Sequence, residues 1–427
     1  MPKKRPIVIV GNGGAALAAA KALRESHYHE EIHLISDYGG PAYNPMLIPY
    51  FISGKIPLEK CCPSGFHFDL HRSLELNMSL GSPVVELDAD QQFVKTDRGK
   101  KIPYSQCLIA TGASPQIPAV LAGKSKRILV LRTISDAVAI KQLLVSGAKK
   151  VLVVGASMVG VKMVEVLLEA GLHVTLTDLA GHIFPNVAHQ DSASIMEKRL
   201  QEHGVGFRLD TIIEDVLVSS KQKIKVRFAT GDLAEFDFIV VGTGIQPNLK
   251  FVQRNQLLVD KGIVVNGQMK SSVPNLFAAG DVSQSTNILT GKNQLIPLWS
   301  NAIYGGRTAG RIMAGLDDHY LGTVPSNISR FCGLEFVNVG NALEGDIINT
   351  FIEGSMYIRL AWQGGYLTGA NLINCRSPGK VKQAVVKRIP YEIYGQDLVN
   401  NLWRENTMLQ NYYETEEDLA YERPKPS

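Results

Sequence analysis

The sequence predicts an α/β protein in which two doubly wound parallel-sheet units are followed by a smaller α+β domain. Three observations predict it. Two four-residue apolar runs each lead into a glycine-rich turn and then an Ala/Val/Leu-rich stretch: Ile7 to Val10 before Gly11-Asn12-Gly13-Gly14-Ala15-Ala16, and Val151 to Val154 before Gly155-Ala156-Ser157-Met158-Val159-Gly160. Each turn is followed, roughly twenty residues on, by another apolar run that closes on an acid, Asp37 and Asp178. From about Asp317 the pattern changes to short alternating segments.

The elements follow in order. Ile7 to Val10 reads as a buried parallel strand, because both faces are apolar. The turn after it opens a helix. Glu31 to Ile35 forms the second strand, ending at Ser36-Asp37. Residues Tyr38 to Ile56, rich in Gly, Pro, Tyr and Asn, are expected to be loop rather than core. Gln106 to Gly112 is a short strand ending in the small residues Ala110-Thr111-Gly112. The second unit repeats this plan. Val174 to Asp178 is its second strand, and Phe238-Ile239-Val240-Val241-Gly242-Thr243-Gly244 echoes the Leu108 to Gly112 strand. Val273 to Asp281 is a further strand closing on Gly280-Asp281, and a helix runs from Trp299 to Met313. Phe336 to Val339 and Met356 to Ala361 are strands of the last domain, and Tyr412 to Asp418 is an acidic surface tail.

Such a turn is built to hold a dinucleotide. Its first glycine permits a tight bend, its second position lets the backbone approach a pyrophosphate, and its third small residue lets helix and strand pack closely. The helix N-terminus adds free N–H groups and a positive dipole end. Two such turns, each with its acid, predict two bound dinucleotides (the Rossmann-like arrangement). The acid accepts hydrogen bonds from an adenosine ribose, although Asp37 also reads as a plain turn residue.

Composition bounds the rest. The chain has 427 residues, 45% hydrophobic and 20% charged, and suits a globular protein of two or three domains. A net charge of +4 is too slight to predict nucleic-acid binding. Lys3-Lys4-Arg5 precedes an apolar run, but Asn12 and the glycines interrupt it, so strand and turn are expected rather than a signal peptide. No stretch is long enough to span a bilayer. Cys61, Cys62, Cys107, Cys332 and Cys375 form no C-x-x-C and no metal-ligand spacing, which predicts no metal site and fits reduced thiols in a cytoplasm. Cys61-Cys62, the one adjacent pair, reads as bland thiols or as a strained redox disulfide. Cys332 reads as packing.

The order of motifs resembles the pyridine nucleotide-disulfide oxidoreductase superfamily: the first fingerprint, Ala110-Thr111-Gly112, the second fingerprint, and Ala279-Gly280-Asp281. It is similar to the branch without a redox disulfide, the ferredoxin, rubredoxin and putidaredoxin reductases and the flavin part of NADH-dependent nitrite reductases. The resemblance covers nearly the whole chain. It implies a nested connectivity: an FAD domain from residues 1–114 with 245–318, an NAD domain from residues 115–244, and a C-terminal α+β interface domain from residues 319–427. It places FAD against Gly11, Gly13, Gly14, Ala15, Ala16, Asp37, Ala110, Thr111, Gly112, Gly280 and Asp281. Pro297-Leu298-Trp299-Ser300-Asn301-Ala302 resembles the W-x-N-A of oxygenase-coupled ferredoxin reductases, making Leu298 and Trp299 candidate flavin neighbours; a core Trp anchoring a helix start is the other reading. Gly155, Ser157, Val159, Gly160, Asp178, Gly242 and Gly244 fall to NAD. Asp178, followed by Leu179-Ala180-Gly181-His182 with no Arg or Lys to grip a 2′-phosphate, predicts NADH over NADPH.

Three departures from that family stand out. Met46, in Tyr43-Asn44-Pro45-Met46-Leu47-Ile48-Pro49-Tyr50, occupies the place of the single redox cysteine of coenzyme A-disulfide reductases and NADH oxidases, and a thioether forms no thiolate or mixed disulfide. Tyr50 stands where ferredoxin reductases carry a Lys near the flavin. Val161-Lys162 stands where the family has a Glu two residues after the last fingerprint glycine. Lys162 and Tyr50 are therefore the candidates for tuning or gating the flavin; a solvated helix lysine is the alternative for the first.

The implied function is an FAD-dependent NAD(P)H oxidoreductase. Hydride passes from nicotinamide C4 to flavin N5, and electrons then go to an acceptor. The leading acceptor is a small iron–sulfur carrier such as a ferredoxin or rubredoxin. Oxygen, a quinone or a small organic electrophile is the first alternative. An NADH-binding regulatory flavoprotein, or a flavin subunit of a larger complex, is the second. The C-terminal domain is a dimer interface in some relatives, so a homodimer is a further expectation.

Overall fold

The computed structural model describes residues 4–219, 223–253, 256–375 and 377–402; the acidic stretch Tyr412 to Asp418 lies outside them. The chain divides into two compact units. One comprises residues up to Ile183 with Gln201–Pro325, and the other Phe184–Leu200 with the chain from Ser326 onward.

The first unit holds two parallel five-stranded sheets of the same design. One runs Leu276–Ala278, Gln106–Ile109, Ile7–Val10, Ile32–Ser36, Asn77–Leu80. Its centre is in register as Ile7 with Ile32 on one side and Gln106 on the other. The second runs Gly206–Arg208, His173–Thr177, Lys150–Val154, Phe238–Val241, Ile128–Val130. Both central strands are buried along the apolar run, as continuous Val/Ile segments in a parallel sheet must be. In each sheet the chain leaves the central strand to one side and returns on the other. That reversal opens a crevice beyond the strands' carboxyl ends, where the glycine turns lie. The first unit also carries two three-stranded antiparallel meanders, Val84–Asp88, Phe93–Thr96, Lys101–Pro103 and Ile213–Val218, Ile224–Phe228, Leu233–Phe236. The strands Ala113–Pro115 and Ile245–Pro247 pair antiparallel. Under the proposed nested division they form the two crossings between the dinucleotide domains.

The fingerprint helix Gly14–Glu25 and the helix Trp299–Met313 pack backbone to backbone. A Cβ on Gly306 would lie 2.2 Å from the Ala15 carbonyl oxygen, and one on Gly310 2.3 Å from that of Ala19. Only glycine permits this approach.

Residues Tyr38 to Ile56 are not simply loop. Pro45–Leu47 forms a 3-10 turn and Ile48–Ile52 a short helix. Asn44 Oδ1 caps the turn by accepting from Met46 N at 3.0 Å, Pro45 enters with its φ already helical, and Ile48 and Ile52 bury their side chains. Composition marked the segment as loop; the apolar spacing inside it was the stronger signal.

The second unit is an antiparallel sheet in the order Ser326–Phe331, Leu334–Gly340, Tyr366–Ile373, Met356–Gln363, Ile347–Glu353, backed by the helix Pro378–Val386. Phe184–Leu200, which the sequence reading put in the nucleotide unit, clusters here. Phe184 stacks on Phe336 at 5.4 Å, and Asn371 donates to Val187 O and accepts from His189 N, each at 2.8 Å.

Candidate functional site

The first fingerprint turn is shaped from below. Gly11 sits at φ +122°, and a Cβ there would lie 2.1 Å from the Ala110 carbonyl oxygen. The turn is thus pressed against the Ala110-Thr111-Gly112 strand end. That end is braced by Asn248, which donates to Thr111 O (2.9 Å) and whose own carbonyl accepts from the Thr111 hydroxyl (3.0 Å). Gly280, at φ +81°, would bring a Cβ within 3.3 Å of Ala15. A Cβ on Gly14 would meet the Trp299 ring at 2.8 Å. Gly112 faces the Arg132 guanidinium, which pairs with Asp281 at 2.7 Å. The first fingerprint, Ala110-Thr111-Gly112, Gly280-Asp281 and the Trp299 turn therefore converge on one cleft.

Above the turn the situation is reversed. A Cβ on Gly13 would meet nothing within 4 Å, and no side chain caps the start of the Gly14–Glu25 helix. Its first N–H groups are left for a ligand. Asp37 is exposed and accepts from the Ser36 hydroxyl at 3.5 Å, which leaves lone pairs available where an adenosine ribose is expected. Glycines closed below and open above, an uncapped helix start and a free acid fit the pyrophosphate and ribose of FAD. Arg132 and Asn248, neither carried by a motif, were missed by sequence reasoning; their contacts lie 149 and 137 residues away along the chain.

The half-buried Trp299 ring lies against Gly14 at the start of the fingerprint helix. Leu298 N-caps its helix, and its carbonyl accepts from Ala302 N at 3.0 Å. The following Asn301, 3% exposed, accepts from the Tyr320 hydroxyl (2.9 Å) and donates to Ile296 O (2.9 Å), so it locks this turn. Beside Trp299 is an apolar cavity of about 180 Å³ lined by Gly14, Ala42, Tyr43 and Ser64, with Lys21 also on its wall.

The second turn is closed differently. A Cβ on Gly160 would lie 1.8 Å from the Gly155 carbonyl oxygen, and Gly155, at φ +107°, packs against Gly242. Ser157 takes the place of the fingerprint's middle glycine. Its hydroxyl turns inward, donating to Gly242 O at 2.6 Å and accepting from Gly160 N at 3.2 Å, which leaves the outer backbone accessible. Gly244, at φ +115°, follows on the facing strand end, and Val159 is exposed in the first helical turn. Asp178 accepts from Ala156 N (2.6 Å) and Ala180 N (2.8 Å). A carboxylate has about four lone-pair positions, so two hydroxyls can still be held. Asp178 therefore braces the turn and keeps lone pairs spare where the ribose is expected.

The two departures at positions 50 and 162 meet. The Lys162 ammonium lies 4.7 Å above the Tyr50 ring and pairs with Glu165. Lys55 and Glu169 form a second ion pair nearby at 2.7 Å. The carboxylate missing at position 162 reappears one turn on. Replacing Lys162 with Glu would set it against Glu165 and remove the cation from the ring face. The flavin midpoint potential is expected to fall by roughly tens of millivolts, since added negative charge disfavours a reduced ring; an unchanged potential in spectroelectrochemistry would remove Lys162 from the site.

Cys61 and Cys62 are free and buried, and burial raises both thiols above their usual range. Met46, by contrast, is 63% exposed. No group of three or more metal-ligating side chains occurs among the described residues.

Buried His33 and His71 have pKa values lowered chiefly by desolvation. The unfolded chain takes up protons near pH 6.5 where the fold does not. The unfolded state then binds more protons, so stability is complete above that pH and falls as pH drops through this window. Thermal melts at pH 7.5 and 5.5 are expected to differ in this direction, and His71→Gln should narrow the gap.

One fold unit with two parallel sheets, each carrying a glycine turn and a following acid, is the arrangement of a flavin-dependent NAD(P)H oxidoreductase. The chain belongs to the pyridine nucleotide-disulphide oxidoreductase family, whose model matches residues 5–306. An NADH oxidase of Methanocaldococcus jannaschii is 29% identical over 339 residues, 78% of this chain and 75% of that protein. The ferredoxin–NAD(+) reductase component of the 3-phenylpropionate/cinnamic acid dioxygenase of Photorhabdus laumondii is 29% identical over 315 residues, 74% of this chain and 79% of that one. Among solved structures, the covalent putidaredoxin reductase–putidaredoxin complex superposes with a TM-score of 0.83 at 25% identity, covering 90% of this chain and 94% of that one. The protein is an FAD- and NAD(H)-dependent oxidoreductase of this family. No described helix is long and apolar enough to cross a membrane.

Proposed function

We propose that the chain oxidises NADH and passes the electrons from FAD to a small iron–sulfur protein of the ferredoxin or rubredoxin kind. The observation that carries this reading is Met46. An exposed thioether stands where thiol-using relatives keep their redox cysteine, so no thiol relay is available there and electrons must leave the flavin directly. The similarity to a ferredoxin–NAD(+) reductase component and to a reductase–putidaredoxin complex supports the same acceptor class.

FAD bound in the first cleft supplies acceptance of two electrons together and their release one at a time. The protein's residues do the rest. The turn Gly11 to Ala16 and the uncapped helix start hold the pyrophosphate, Asp37 the adenosine ribose, and Arg132 adds positive charge beside Asp281. Gly155 to Gly160 and Asp178 would hold NADH, whose nicotinamide would supply the hydride. The division into an FAD domain, an NAD domain and a C-terminal interface domain, a homodimer through the last, and a cytoplasmic setting are parts of the same proposal.

The apolar cavity beside Trp299 favours one other reading, a small organic acceptor. Its volume of about 180 Å³ exceeds the roughly 150 Å³ of cavities that bind benzene.

The test is an anaerobic titration with NADH and then NADPH, followed by mixing the reduced protein with a ferredoxin, a rubredoxin, a quinone or oxygen. Bleaching by NADH and fastest reoxidation by an iron–sulfur carrier is the expected result. Faster reoxidation by quinone or oxygen would transfer the assignment to the small-acceptor reading. Absent bleaching with FAD bound would make the chain a binding or regulatory flavoprotein.

A further inference from the structure

Asn12 lies between Gly11 and Gly13 of the first fingerprint, yet it is only 8% exposed. Its amide donates to the Gly40 carbonyl at 3.2 Å. A carbonyl only accepts, so Nδ2 must face Gly40 and Oδ1 must face the other way. There it meets His71 Nε2 at 2.7 Å. An amide oxygen cannot donate, so Nε2 carries the proton and Nδ1 the lone pair. His71 is 0% exposed, and its Nδ1 meets no hydrogen-bond partner among the described residues. A second proton there would be a buried donor with nothing to accept it. Phe68 packs edge-on against its ring at 5.3 Å.

We infer that His71 is a positioning residue for FAD: as a neutral Nε2–H imidazole it orients Asn12, which ties the pyrophosphate turn Gly11 to Gly13 to the ribose-side loop at Gly40. The inference rests on the reading of that turn as the FAD cradle. On the pyrophosphate side, Gly11 is packed so closely on the Ala110 carbonyl that a Cβ would lie 2.1 Å from its oxygen. Asp37, at the ribose position, is three residues before Gly40. Removing the imidazole donor strands the Asn12 oxygen in a dry interior. The amide is then free to rotate, and the turn and the loop lose their common reference.

The experiment compares FAD dissociation in wild type, His71→Leu and His71→Gln, read from flavin absorbance and fluorescence. Leucine fills the space without a donor; FAD is expected to bind about tenfold more weakly. Glutamine reaches as far as Nε2 and carries an N–H₂ there; affinity should return to within about threefold of wild type. Leucine binding FAD as well as wild type, or glutamine failing as badly as leucine, would overturn the inference. A second measurement needs no altered protein to fold and no flavin titration. Long-range ¹H–¹⁵N correlation on histidine-labelled wild type at pH 7 should show a buried neutral imidazole protonated on Nε2. A Nδ1–H tautomer or a cation at His71 would overturn the inference. A wild-type protein with that tautomer but no affinity for FAD would defeat the functional reading instead.

Discussion

Gly160→Ala is expected to stop flavin reduction by NADH while leaving FAD in place. The added methyl carbon would lie 1.8 Å from the Gly155 carbonyl oxygen and 3.0 Å from its carbon, and neither is a flexible side-chain end. The helix Met158–Glu169 must therefore move off the strand. That movement breaks the Ser157 hydroxyl's bonds to Gly242 O and Gly160 N, which fix the turn. Overpacking of this kind costs about 1–3 kcal/mol even where the surroundings can yield. Here it falls on the surface that must meet a pyrophosphate. A loss of about 3 kcal/mol of transition-state binding would lower kcat/KM for NADH by roughly two orders of magnitude. The first fingerprint lies on a different sheet, so flavin content should stay at the wild-type level. Stopped-flow reduction with NADH, beside the flavin-to-protein absorbance ratio, checks both halves. Near-normal reduction would mean that the second turn does not hold the nicotinamide nucleotide.

Asp178→Ala is expected to reduce NADH turnover strongly and NADPH turnover less. The carboxylate does two things: it bonds Ala156 N and Ala180 N, holding the turn, and it stands where an adenosine ribose would present two hydroxyls. Losing the first affects either nucleotide. Losing the second affects only NADH, because a 2′-phosphate gains from the departure of a negative charge. Hydrogen bonds to charged groups contribute about 1.5–3 kcal/mol each, so the ratio of kcat/KM for NADH over NADPH should drop at least about tenfold. A ratio unchanged from wild type, with both activities reduced, would leave Asp178 as a brace for the turn and return nucleotide choice to other residues.

Much of this was legible in the chain. Periodicity and glycine placement located the strand Ile7–Val10 and the helix Trp299–Met313 to the residue, and the strand Lys150–Val154 from Val151 onward. These elements are dictated locally, by apolar runs that only a buried parallel strand can use and by turns that only small residues can make. The short helix Ile48–Ile52 was hidden because Pro, Tyr and Asn weigh toward loop in composition, whereas its burial depends on distant partners. Phe184–Leu200, inside the stretch expected to form the NAD domain, clusters with the second unit, because its companions Phe336 and Asn371 lie far along the chain.

The sequence by itself determined the architecture of two glycine-turn units, the two acids that follow them, and the absence of a redox cysteine at Met46. All of these are matters of residue type at fixed local spacing. Only the tertiary structure decided what closes the sites. It brought Arg132 to Asp281, Asn248 under Thr111, Lys162 over Tyr50, and His71 to Asn12. Those contacts join positions from 59 to 149 residues apart. No local rule specifies them, because a side chain's partner at that range is chosen by how whole sheets and helices pack and not by its neighbours in sequence.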